Sequence, residues 1–557
     1  MDRTVKTLIS LTKFLATFAV SSSISISLPT QVLASSLQFR LEEATIDSIN
    51  QAFDAGILDS RQLVQLYLNR INAYDDSGPR INSIISINLD ALSIATALDI
   101  ERRTTGPRSP LHGIPVILKD NYDTFDMPTS AGALAFQNFI PTTDAFQVAK
   151  LRDAGAIILA KANLSEFAFS GSTSISSFGG TTVNPYDPLR SPAGSSGGTG
   201  AAIAANFGVI GLGTDTGGSI RNPSSFNGLV GVRPTIGLSS RSGIVPLALS
   251  QDVGGPMTRT VRDAAITLDF TVGFDANDPI TALSNGNIPA SYTTNLTPNG
   301  LQGIRIGVVR DLFGVNTNPD FATVNGIIDT AIARMTGLGA TFTNVTIPNL
   351  SAILASPSLS AFEFRDNLNS YLASQPNAPY QTLTEIIASG QFLPSNLNTL
   401  NTRNNVGDLA TNLTYQDIIT NRPTFVRDSL LQAMTGFDAL LYPTTIAPPR
   451  LNTQGQQTGS SNRLSAFSGF PAVTLPAGFT GNGLPVGMEF LGRAFSEASL
   501  LQFAYAYETA FNVRSAPSSV PALPGETIVV PEPSSIAALG MVFLGGITLK
   551  LTRKPRL

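Results

Sequence analysis

The chain has 557 residues, 42% hydrophobic and only 13% charged, with a formal net charge of −4. That apolar fraction can bury a large core, and so small a charge, with no basic run outside the two termini, gives no electrostatic reason to bind nucleic acid. The absence of cysteine excludes thiol nucleophiles, cysteine-ligated zinc and disulfide staples, so any chemistry must be built from serine, lysine, carboxylates, backbone and the single histidine, His112.

Residues 1–34 carry Arg3 and Lys6, then the apolar "FLATFAV", then "TQVLASS", where Val32 and Ala34 occupy the small-residue positions before a signal-peptidase cut. This predicts a signal peptide and an exported protein. After Ser60, a predicted N-cap, Leu63, Leu66, Tyr67 and Ile71 share one helical face. In "HGIPVILKDN" a short apolar strand leads straight into Lys119. A lysine so placed is desolvated, and burial lowers its pKa from about 10.4 toward the range of a neutral-pH base. The plainer reading is an ion pair with Asp120 or Asp123. His112 reads as a packed loop residue. A helix capped by Thr143 and closed by Gly155 precedes a strand over Ala156–Ala160.

The run "SPAGSSGGTGAAIAANFG" follows. It is not a phosphate-binding P-loop, because Ala201 stands where that loop needs lysine. Ser196 fits a nucleophile elbow formally, but that fold places its histidine after the serine and His112 lies before it. A slack glycine linker is unusual between well-formed helix and strand patterns. Next, "NFGVIGLGTD" reads as a buried strand that turns through Thr216, Gly217 and Gly218 to Ser219. Glycines there let the backbone approach a ligand, and successive N–H groups can converge on an oxyanion; an isolated T-G-G-S is otherwise a plain turn. Another helix-and-strand unit occurs in "IIDTAIARMTGLGATFTNVTIP". The alternation predicts one large α/β domain: a mixed, mostly parallel sheet covered by helices on both faces. At the C-terminus an apolar stretch over Ile536–Leu549 precedes Lys550, Arg553, Lys554 and Arg556, an arrangement typical of a cytoplasmic stop, though short for a span.

Two resemblances join these signals. Pro531, Glu532 and Pro533, followed by the apolar stretch and basic tail, resemble the bacterial PEP-CTERM sorting signal, which implies membrane association through the tail and an envelope sorting enzyme as partner. The order of Lys119, the Gly-Ser-Ser-Gly-Gly run and "GTDTGGSIRNPS" resembles the amidase signature family, as do "LAKANLSEFAF", "DALLYPTT" and "FPAVTLPAGFTGNGLPVGMEFLGRAF". That resemblance implies the amidase signature fold and a Ser-cisSer-Lys triad needing neither cofactor nor metal. Ser219 would be the nucleophile, and Ser195, preceded by a cis peptide bond, would bridge it to neutral Lys119. The N–H groups of Thr216, Gly217, Gly218 and Ser219 would form the oxyanion hole, with Asp215 and Arg221 bracing the loop. Ala193 departs from the family's usual glycine and Thr199 from a common acidic residue.

The stretch 363–387 is similar to exported peptide-amidase-like members, which implies peptide amides or other small amides as substrates. The alternatives are an inactive envelope binding protein of the same fold and a glutamine-hydrolysing amidotransferase-type subunit. The expected divisions are a signal peptide at 1–34, an amidase domain at 41–515, a Pro-rich linker at 516–533 and a sorting or anchor segment at 534–557.

Overall fold

The computed structural model describes residues 38–457, 459 and 463–529. The expected signal peptide and C-terminal sorting segment lie outside the described residues. The central sheet contains β1 (Ile84–Ile87), β2 (Pro115–Lys119), β3 (Ile157–Ala162), β4 (Ile210–Asp215), β5 (Val230–Arg233), β6 (Val253–Thr258), β7 (Arg305–Val308), β8 (Thr341–Asn344), β9 (Ala439–Pro443), β10 (Ala472–Phe479) and β11 (Pro485–Leu491). They lie in the order β8-β7-β9-β11-β10-β5-β6-β4-β2-β3-β1.

The sheet is mixed, and its parallel pairing is concentrated in two blocks. One is β8-β7-β9 and the other β4-β2-β3. From β9 to β4 across the centre every neighbouring pair is antiparallel, as is β1 with β3. Parallel neighbours need a crossover, whereas the antiparallel pair β10 and β11 is joined by a tight hairpin in which the Thr480 N–H donates to Leu484 O at 2.9 Å.

The helices that bear on the site are α1 (Ser60–Tyr74), α2 (Phe146–Asp153), α3 (Gly197–Ala204), α4 (Arg221–Phe226), α5 (Val261–Asp269), α6 (Pro319–Gly337), α7 (Ser360–Ala373), α8 (Leu413–Ala433) and α9 (Glu497–Phe511). They cover both faces, as side-chain alternation along the strands makes plain. Gly213 of β4, Gly231 of β5 and Gly487 of β11 face α3, α4 and their flanks so closely that a Cβ would lie 2.8 Å from Ser196 Oγ, 2.3 Å from Ser224 Oγ and 2.5 Å from Ser225 Oγ. Val230, Val232, Met488 and Phe490 point the other way, into a core with α5, α6 and α9.

Several local expectations shift by a residue or more. The N-cap of α1 is Asp59, which accepts from the Gln62 N–H in a reciprocal capping box, and the N–H of Ser60 goes to Asp99 Oδ1 at 2.8 Å. Thr143 does not cap α2, whose N-cap is Ala145 without a side-chain bond, and the following strand runs to Ala162. The expected linker is bound to the domain through residue 529. A strand at Thr527–Val529 pairs antiparallel with Gln38–Arg40, and Glu526 forms a buried ion pair with Arg70 at 2.7 Å. Pro-rich composition reads as slack chain, but this segment is ordered by a partner hundreds of residues away.

Candidate active site

Lys119 ends β2 and is fully buried. Its Nζ lies 2.7 Å from Ser195 Oγ and 2.6 Å from Thr214 Oγ1. Among the described residues no carboxylate is within ion-pair distance of it. Adjacent strand residues point to opposite faces, so Asp120 pairs instead with Lys161 at 2.8 Å. Burial pushes the Lys119 ammonium down to about 7, although the more distant Asp252 and Asp215 pull it up. A neutral amine suits the two hydroxyl neighbours: its lone pair can accept from Ser195 while an N–H donates to Thr214.

The Gly194–Ser195 peptide bond is cis. Backbone contacts hold this turn from below, with the Gly194 N–H donating to Gly171 O at 3.1 Å and the Ser165 N–H to Ser195 O at 3.0 Å. Ser174 Oγ donates to Ala193 O and accepts from the Gly197 N–H, at 3.0 and 2.9 Å. The packing leaves no room for side chains: a Cβ on Gly198 would sit 2.1 Å from Asn163 O. Ala193 adopts φ +64°, in the left-handed region that favours glycine, so this departure from the family pattern carries about 1–2 kcal/mol of backbone strain.

Ser219 follows β4 through the turn 216–218, and its carbonyl accepts from the Ser196 N–H at 3.2 Å, which puts it beside the Ser195 turn. Gly217 is exposed between buried neighbours, with nothing within 4 Å of where its Cβ would be, so the site opens there. The Gly218 N–H differs from the rest of the loop, because it donates to Asp215 Oδ1 at 2.7 Å. Among the described residues the N–H groups of Thr216, Gly217 and Ser219 have no protein acceptor.

Asp215 organises the underside of the loop. It accepts from the Ile220 N–H at 3.1 Å, from Arg221 Nε at 3.1 Å and from Arg233 Nη1 at 3.0 Å. Burial alone would raise its pKa, but Arg221 and Arg233 outweigh that and hold the carboxyl well below the usual range. Arg221 also bonds Glu489 Oε1 at 2.7 Å. His112 is buried at the other end of β2 from Lys119, with Nε2 2.9 Å from Leu98 O and Nδ1 accepting from the Arg108 N–H.

A family model described as Amidase matches residues 62–501. The chain belongs to the amidase family. The amidase is 34% identical over 496 residues to a probable amidase of Arabidopsis thaliana, covering 86% of this chain and 93% of that protein. It is also 34% identical to a glutamyl-tRNA(Gln) amidotransferase subunit of Myxococcus xanthus, covering 86% of this chain and the whole of that protein. Among solved structures, the native peptide amidase of Stenotrophomonas maltophilia superimposes with a TM-score of 0.78 at 38% identity, covering 86% of this chain and 99% of that one. The amidase is therefore an amide-hydrolysing enzyme.

Four polar groups of this amidase site are given no role by the sequence: Thr214 and Glu489 lie within the stretches 213–224 and 470–495 that carry the family resemblance, Gln251 and Arg233 outside them. Thr214, the second contact of Lys119, also accepts from Asn121 Nδ2 at 3.1 Å. The strand register alone does not give this contact: Leu118 is paired with Leu212, which sets Lys119 opposite Gly213, and the long lysine side chain reaches past that position to the hydroxyl of Thr214. Gln251, Arg233 and Glu489 come from distant segments, and only folding brings them to the loop.

Proposed function

We propose that the protein is a serine amidohydrolase in which Ser219 attacks the amide carbonyl while its proton passes through Ser195 to Lys119. The observation that carries this reading is the 2.7 Å contact between Ser195 Oγ and a buried, carboxylate-free Lys119 amine. Serine needs a base in hydrogen-bond reach, and an amine lowered to about 7 is half-neutral at physiological pH. Attack forms the Ser219–carbon bond and puts negative charge on the carbonyl oxygen, which the N–H groups of Thr216, Gly217 and Ser219 would receive; the Gly218 N–H is held by Asp215.

Collapse then breaks the C–N bond. The leaving amine takes the proton from Lys119 through Ser195, giving ammonia or an amine and an ester on Ser219. Water hydrolyses that ester by the reverse transfer, releasing the carboxylic acid and restoring the serine.

Peptide amides and other small amides are the substrates this reading favours, supported by the near-complete coverage of the solved peptide amidase. Incubation with a fluorophosphonate probe tests the nucleophile: wild type should label covalently, and Ser219→Ala should not label while keeping its far-UV circular dichroism. Absence of labelling in folded wild type would favour a non-catalytic binding role. Release of ammonia from free glutamine but from no peptide amide would favour the amidotransferase-type reading.

We further read the protein as exported, on the strength of its two terminal segments. Mass spectrometry of protein from the cell envelope should give a chain beginning at Ser35; an intact Met1 in a cytosolic fraction would refute export.

A further inference from the structure

We propose that Gln251 is a positioning residue for the oxyanion site: its side-chain amide sets the plane of the Thr216–Gly217 peptide and is itself held by Leu359 at the start of α7 and by Arg422 of α8. The proposal rests on the reading of Ser219 as nucleophile.

Gln251 is almost fully buried, and its Nε2 donates to Thr216 O at 2.8 Å. The Thr216–Gly217 bond is trans, so the carbonyl and the following N–H lie in one plane and point in opposite directions. Anchoring the carbonyl on Gln251 therefore turns the Gly217 N–H away from Gln251, where no protein group among the described residues accepts it. Glycine has no side chain to resist rotation of this plane. A flipped peptide would present a carbonyl oxygen where a donor is needed, so the restraint must come from outside the loop.

The amide's orientation is unambiguous, because its oxygen accepts from the Leu359 N–H at 2.8 Å and from Arg422 Nη2 at 2.9 Å, which leaves the NH2 for Thr216. Neighbouring residues repeat the pattern. Asp252 Oδ1 accepts from Thr216 Oγ1 at 2.5 Å, Ser250 Oγ donates to Glu363 Oε1 at 2.5 Å, and the Leu249 N–H donates to Asn367 Oδ1 at 2.8 Å. Residues 249–252 thus clasp the reactive loop on one side and helices α7 and α8 on the other.

Gln251→Glu separates positioning from simple anchoring. It keeps the size and the oxygen acceptors for Leu359 and Arg422, stays ionised beside Arg422, and loses the N–H that Thr216 O requires. Gln251→Met removes the same donor without adding charge and serves if the glutamate variant folds poorly. Because loss of one oxyanion donor lowers kcat by about 10²–10³-fold, both variants should lose about 100-fold in kcat on a peptide amide and label correspondingly slowly with fluorophosphonate. KM should stay within about threefold of wild type.

A kcat within about threefold of wild type in either folded variant would overturn the positioning role alone. Wild type that neither labels nor hydrolyses would overturn the Ser219 reading, and this inference with it.

Discussion

Lys119→Met is expected to lower kcat for amide hydrolysis by roughly 10⁴-fold or more, the scale seen when one member of a catalytic unit is removed. Methionine fills nearly the same volume, so the buried end of β2 stays packed and the circular dichroism spectrum should be unchanged. What disappears is the lone pair 2.7 Å from Ser195 Oγ. The wild-type pH profile supplies an independent check. Because burial lowers the Lys119 pKa to about 7, the base form predominates above that pH and is lost below it. Values of kcat/KM should rise with pH through an apparent pKa near 7 and then level off, falling about tenfold per unit on the acid side. Lys119→Arg, permanently charged, should be as inactive as the methionine variant. Hydrolysis by Lys119→Met within tenfold of wild type, or a flat profile between pH 5 and 9, would exclude this lysine as the base.

Why Lys119 was legible in the sequence, and much of its surroundings was not, follows from where the information lies along the chain. A lysine directly after three apolar strand residues is placed to be desolvated, which the local pattern records, while the hydroxyls that meet it come from 76 and 95 residues away and enter through the family resemblance and the fold. The Gly-Ser-Ser-Gly-Gly run and the 216–219 turn are likewise contiguous, and their glycines record backbone crowding that the structure makes explicit at Gly198 and Gly213. Asp120 as an ion-pair partner fails for a reason that strand periodicity already contains: the two residues face opposite sides, and Asp120 meets Lys161.

The sheet shows the same division. Helix–strand alternation marks the parallel blocks, whereas the antiparallel centre is announced at β10–β11 by the turn residues Thr480, Gly481, Asn482 and Gly483 between two apolar runs. No local rule ties Glu526 to Arg70 or Glu489 to Arg221. Those pairs are chosen by tertiary packing, as are the ties from Gln251 to Leu359 and Arg422.

Asp215→Asn is expected to destabilise the folded protein by about 3–5 kcal/mol, because removing one member of a buried ion pair leaves the other uncompensated. Arg221 would retain Glu489, but Arg233 has Asp215 as its only ion-pair partner among the described residues and would be left buried without a counter-charge. The amide of asparagine supplies one acceptor where Gly218, Ile220 and two guanidinium groups now share two carboxylate oxygens.

The acid limb of stability gives the sign. Asp215 is held well below its unfolded value of about 3.9, so its contribution is fully present above that pH and is lost as pH falls toward the folded value. Urea unfolding should therefore show wild type losing stability below about pH 4 more steeply than Asp215→Asn, with the largest gap between them near neutrality. Equal unfolding midpoints at pH 7 would mean that the two arginines need no counter-charge here.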